Sequence, residues 1–282
     1  MNTVSQTFNW SRFVATLRKE VVENRRTILF SVIGIYAMLA IIMILGNLTT
    51  GTPAENAIVM STNIPYSVVF MLLSFVVCAI SSMAFKSMTT KAGRTSLMMS
   101  PSSSLEKFVV NLLIYVVAMF VLFFACTQLA DLTRIAVLKP FETKNFVVPG
   151  SINFANVKTF TFMADGSSSN SFVFWVGMSL FIGTIANAAM YFLGSVVWPR
   201  LSLLKTFVTI FAAQSTLLII LIVLINVCAE PHVFGQWFRD FMKSGGFFKL
   251  SCAISPVLAV GAFALSWILF KRKDVVSLKW WK

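Results

Sequence analysis

The 282 residues carry 57% hydrophobic and only 12% charged side chains, with a formal net charge of +13. A soluble domain usually has about 25% charged residues, so a water-soluble fold is excluded. Basic excess without interleaved base-reading or stacking groups also argues against nucleic-acid binding.

The apolar residues are gathered into runs. Between Thr27 and Phe85 the only charged residue is Glu55. A run of 18 or more apolar residues crosses a hydrocarbon core of about 30 Å as helix. Strands of a membrane barrel alternate apolar and polar over about ten residues. The runs here are longer and apolar on all sides, so the expected class is an all-α membrane protein.

In chain order, residues 1–26 form a cytoplasmic segment. Trp10, Phe13, Val14, Leu17 and Val21 recur at helical spacing, with Arg12, Arg18, Lys19 and Glu20 on the other side. That pattern predicts an amphipathic helix over 8–23 lying flat in the inner membrane interface. No small-residue cleavage pattern follows the first apolar run, which reads as a retained span. The transmembrane domain, 27–282, has six predicted spans: Thr27–Asn47, Ile64–Phe85, Phe108–Leu129, Phe172–Val197, Leu203–Cys228 and Leu250–Phe270. Pro65 suits a first helical turn, and Pro256 should kink the sixth span or mark its start.

Orientation follows from Lys and Arg. With the N-terminus inside, 16 of the 23 basic residues fall in residues 1–26, the inner loops 86–107 and 198–205, and the tail 271–282. The outer loops, 48–63, 130–171 and 229–249, hold the other seven. Both termini are therefore expected inside. Within the longest outer loop, partial alternation at Val157–Met163 suggests a small two-stranded cap.

The four cysteines lack metal-ligand spacing. Cys228 and Cys252 read as packed apolar thiols, with an outer disulfide as the alternative. There is no Walker A pattern, no nucleophile elbow and no His-Glu-x-x-His, and all ten acidic residues are expected in loops or tails. The chain therefore reads as no enzyme, with no catalytic, metal or cofactor residues. Ion coupling is disfavoured as well, because the mid-span polar residues are neutral.

Two segments outside the spans stand apart. Ser103 and Glu106 have capping-box spacing, so Ser103 should cap the next helix while Glu106 reaches back. Within the outer segment Glu230–Lys249, Phe234, Trp237, Phe238 and Phe241 share a helical face. They read either as an outer aromatic belt or as a short helix dipping into the outer leaflet as a gate.

Leu97-Met98-Met99-Ser100-Pro101-Ser102-Ser103-Ser104-Leu105-Glu106-Lys107-Phe108 resembles the Leu-Pro-x-Ser-x-x-Glu-Lys-Phe loop of one bacterial branch of the ABC-2 type permeases, although Pro follows the first Ser here. Tyr191-Phe192-Leu193-Gly194-Ser195, running to Lys205-Thr206, is similar to the same branch. The resemblance implies a permease subunit of an ATP-driven exporter in the cell membrane. A separate cytosolic ABC ATPase would bind the ATP, and a second copy or a paralogous permease would complete the pathway. It also implies that 86–107 is the ATPase-coupling loop, with Lys91, Arg94, Leu97, Met98, Met99, Ser100, Pro101 and Glu106 as its candidate residues, and that the outer re-entrant helices lie within Glu230–Gly246. The competing expectation is a non-transporting sensor, immunity or scaffold protein of the same topology. No substrate is implied.

Topology is tested by cysteine accessibility in a chain with its own four cysteines replaced. Cysteines at positions 103 and 277 should be protected from external reagent in intact cells, and those at 52, 168 and 244 labelled. External labelling at 103 overturns the assignment.

Overall fold

The computed structural model describes residues 8–49, 69–90, 93, 95–96, 102–141, 170–228 and 246–275. Among them all regular structure is helical. The helices are α1 (Trp10–Glu23), α2 (Arg25–Thr49), α3 (Val69–Ser81), α4 (Ser104–Phe141), α5 (Asn170–Val197), α6 (Ser202–Cys228) and α7 (Gly246–Val275). Five of them, α2, α4, α5, α6 and α7, are long and apolar enough to cross a membrane. This is a multi-pass helical membrane protein.

The predicted span Ile64–Phe85 is described only from Val69, and its helix stops at Ser81 rather than Phe85. Beyond Ser81 the backbone tightens. Met83 N–H donates to Ile80 O, Ala84 N–H to Ser81 O and Lys86 N–H to Met83 O, each three residues back, and a 3₁₀ turn follows over Lys86–Thr89. Such i→i+3 bonds end an α-helix rather than extend it.

The chain forms two compact units, 1–77 with 101–173, and 78–100 with 174–282. The first unit is built on α2 and α4. Leu39 and Met43 of α2 are buried, as are Met119, Phe123, Cys126 and Ala130 of α4. Cys126 Sγ lies 4.0 Å from Val32 O. The small side chains at 126 and 130 let the two backbones come close.

Helix α4 is longer than the predicted span 108–129. Its 38 residues reach about 57 Å, well beyond a hydrocarbon core of about 30 Å. A π-helical turn over Leu113–Val117 and a closing 3₁₀ turn over Lys139–Phe141 are absorbed without a break. Hence residues 130–141, expected in the outer loop, are helical. So is Asp131, an acid expected in a loop. It pairs with Arg134 one turn on at 2.8 Å, and both side chains are buried. Neutral as a pair, the two groups preserve the helix where either alone would carry a buried charge.

In the second unit, α5 and α7 meet through Ala186, Ala189, Ala259 and Ala262. Phe192 packs edge-on against Phe85 at 5.3 Å and against Phe263 at 5.9 Å, and Phe85 lies 5.2 Å from Phe270. Pro256 lies inside α7, which runs through it from Gly246, so it does not mark the helix start. Cys78, Cys126 and Cys252 are free thiols, and the disulfide alternative for Cys252 falls away. Helices α5 and α6 join through Trp198–Leu201. Leu201 takes the left-handed conformation, φ 54°, which a non-glycine residue adopts only at a cost. The turn returns α6 against α5 where α5 has a glycine. A Cβ at Gly194 would collide with Thr206 Oγ1 and lie 2.8 Å from Thr206 Cβ and Cγ2.

This contact has a direct test. Gly194→Ala should destabilise the protein by about 2–3 kcal/mol, and adding Thr206→Ala should recover part of that loss. Thermal unfolding in detergent reads both. An unchanged midpoint for Gly194→Ala removes the close crossing from the account.

Candidate functional site: the Glu106 junction

Most of the sequence-derived candidates lie outside the described residues. These are Lys91, Arg94, Leu97, Met98, Met99, Ser100 and Pro101 of the loop, and Phe234, Trp237, Phe238 and Phe241 of the outer segment. The predicted strand at 157–163 does too. Glu106 is described, and it organises the start of α4.

The predicted capping box is present. Ser103, with extended backbone, accepts from Glu106 N–H at 3.2 Å, and Ser103 N–H donates to Glu106 Oε2 at 2.9 Å. Two of the N–H groups that a helix start leaves unpaired are thereby satisfied.

The other carboxylate oxygen reaches a second helix. Asn9 N–H donates to Glu106 Oε1 at 2.8 Å, and Arg12 Nη2 lies 3.3 Å from the same oxygen. Asn9 is itself the cap of α1: its Oδ1 accepts from Ser11 N–H at 3.0 Å and from Ser11 Oγ at 2.8 Å. Two helix N-termini therefore converge on one carboxylate. Each carries a partial positive charge from its aligned peptide dipoles, and Arg12 adds a full one.

Glu106 has no solvent exposure. Burial of a lone carboxylate costs several kcal/mol, and here each oxygen has charge-assisted donors to offset that. The neighbours close over it. Lys107 and Phe108 are buried, and Asn111 Nδ2 donates to Lys107 O at 3.1 Å. Phe13 of α1 is buried, with Phe8 5.4 Å and Trp10 5.5 Å away, ring centroid to ring centroid. On the next turns of α1, Thr16 Oγ1 donates to Arg12 O, and Asn24 Nδ2 to Glu20 O. Half-burial, and then the nearby Glu23 charge, push the Glu20 carboxyl up from its ordinary value.

Sequence reasoning found half of this site. It assigned Glu106 to Ser103 but set Arg12 on the polar side of α1 with Arg18 and Lys19. It also gave α1 a start at 8; the helix begins at Trp10 behind the Asn9 cap. The available signal was Asn9 itself, a strong cap residue one position before the periodic run.

No metal-ligating group of three or more His, Cys, Asp or Glu occurs among the described residues. Between α2 and α4 a shallow apolar cavity of about 400 Å³ is lined by Tyr36, Leu129, Leu132, Thr133 and Ala136. It has no side-chain chemistry beyond two hydroxyls, and Thr133 already spends its hydroxyl on Ala130 O. The junction can therefore hold two helices as one body, but it supplies no nucleophile and no acid–base pair. No protein-family model, curated protein or solved structure matches this chain.

Removing the carboxylate tests the junction. Glu106→Ala removes the carboxylate that accepts from Asn9 N–H and Ser103 N–H and should cost about 2–4 kcal/mol. Arg12→Met should cost under about 1 kcal/mol, because that side chain is 39% exposed and partly screened. Amide exchange over residues 9–23 should rise strongly in the first variant and slightly in the second. Equal, small effects contradict the geometry.

Proposed function

We propose that this chain is the membrane-spanning permease subunit of an ATP-driven exporter, of the kind its loop sequence resembles, seated in the cell membrane and powered by a separate cytosolic ABC ATPase. The nucleotide binds in that partner. A second copy, or a paralogous permease, completes the pathway.

In this reading the segment containing α3, extended upstream through the apolar residues from Ile64, supplies a sixth span. Both termini face the cytoplasm, α1 lies in the inner interface, and 86–107 is the coupling loop. The outer aromatic residues at 234–241 form the gate.

The observation that carries the reading is the Glu106 junction. A coupling loop must transmit a push. The loop ends on a rigid capping box, and the capping carboxylate also holds α1. Displacement of the loop then moves α1 and the start of α4 together rather than bending a slack connector. A merely solvated connector has no use for a fully buried carboxylate shared by two helices.

Replacing Leu97-Met98-Met99 with Gly-Ser-Gly touches no span and should leave insertion and abundance intact. It should uncouple ATP hydrolysis from transport or release the ATPase from the membrane. Co-purification and ATP hydrolysis in reconstituted vesicles check this. Unchanged behaviour, or no ATPase bound to the unaltered chain, supports the non-transporting alternative instead.

A further inference from the structure

Of the five described helices that can span a membrane, α6 is the least covered by its own chain. A close crossing holds its start, where Thr206 meets Gly194 of α5. About 100° around the helix from that contact runs a different face. Phe207, Phe211, Gln214 and Leu218 follow one another along it at steps of four, three and four, the spacing of a knobs-into-holes seam. Phe207, Phe211 and Leu218 are each more than half exposed, and the rings of Phe207 and Phe211 stack at 6.2 Å.

Gln214 is the polar member of that seam and stands midway along Ser202–Cys228. It is exposed, and no described residue hydrogen-bonds to its side chain. The hydroxyls nearby differ. Thr209, Ser215 and Thr216 each donate to a carbonyl of the preceding turn of α6 itself. Hydrocarbon offers no water to replace a missing partner, so a bare amide at the middle of a span is costly.

A carboxamide needs a group that accepts from its N–H and donates to its oxygen, and another carboxamide does both. Copies of one membrane chain insert the same way up, so a two-fold axis between them stands along the membrane normal. Such an axis can set each seam residue of α6 opposite itself at equal depth. A second copy therefore brings the required amide to the required level by symmetry. A different chain would need a polar group placed there independently.

We propose that the α6 seam is a homodimer interface, with Gln214 bonded to Gln214 of the partner subunit between apolar layers of Phe211 and Leu218. The amide pair fixes the register, since sliding the helices by one turn would strand both amides against apolar side chains. This chooses a second copy over a paralogous permease as the completing subunit of the reading above. It rests on α6 crossing the bilayer and not on transport.

The test uses the full chain in liposomes over a series of protein-to-lipid ratios, with the dimer fraction read by single-molecule photobleaching. The dimer of Gln214→Leu should be roughly tenfold weaker, and that of Gln214→Asn, which keeps an amide, should lie between. Leucine is more apolar than glutamine, so the loss cannot be blamed on failed insertion. Single cysteines, in a chain with its own four replaced, locate the face. Oxidation should link dimers through positions 211 and 218 far faster than through 212 and 216, which are exposed on another side of α6. A monomer at every ratio, a dimer indifferent to Gln214→Leu, or faster linking at 212 and 216 would overturn the seam. A seam dimer that binds no ATPase keeps this interface and overturns the exporter. An ATPase bound to a chain without the seam dimer overturns the interface alone.

Discussion

A carboxylate out of contact with water must find its charge compensated inside the protein, and Glu106 does so with the starts of two helices. Oε2 takes the Ser103 N–H of its own helix, and Oε1 takes the Asn9 N–H and the Arg12 guanidinium of α1. Peptide dipoles of both helices point the same way at this group. The geometry of the first unit follows from it. Helix α1 cannot swing free without exposing two N–H donors and uncovering Phe13, so an amphipathic segment that would otherwise hold on by its apolar face alone is tied to α4 by polar bonds. Neither kind of contact suffices separately, because apolar burial is non-directional and the bonds need a dry site to be strong.

The second unit relies on shape. Alanines at 186, 189, 259 and 262 bring α5 and α7 together, and the glycine at 194 admits Thr206 where α6 turns back. Within a bilayer no hydrophobic force draws one apolar helix to another, so close packing of small residues takes its place. The phenylalanines at 85, 192, 263 and 270 fill what the small residues leave.

The sequence made the helical membrane class plain, since long uncharged runs admit no other solution. It also exposed the Ser103–Glu106 capping box, a local motif written in four residues. Contacts distant along the chain were not legible. Asn9 and Glu106 are 97 positions apart, and helical periodicity alone sets Arg12 on a polar face without saying what that face meets. The reach of α4 past Leu129 was hidden for a related reason. Asp131 and Arg134 look like loop residues by charge, yet at a separation of one turn they neutralise each other and let the helix continue. Pro256 offered two readings, a kink or a helix start, and only the second falls, because α7 already runs from Gly246 and a membrane helix can carry a proline inside it.

The coupling reading depends on α1 and α4 moving as one. Pulsed electron resonance between spin labels at Ala15, exposed on α1, and Leu132, exposed on α4, measures this within the first unit. A rigid junction predicts one narrow distance distribution that broadens when Glu106 is replaced by alanine. A broad distribution in the unaltered chain, or one indifferent to that replacement, would contradict it.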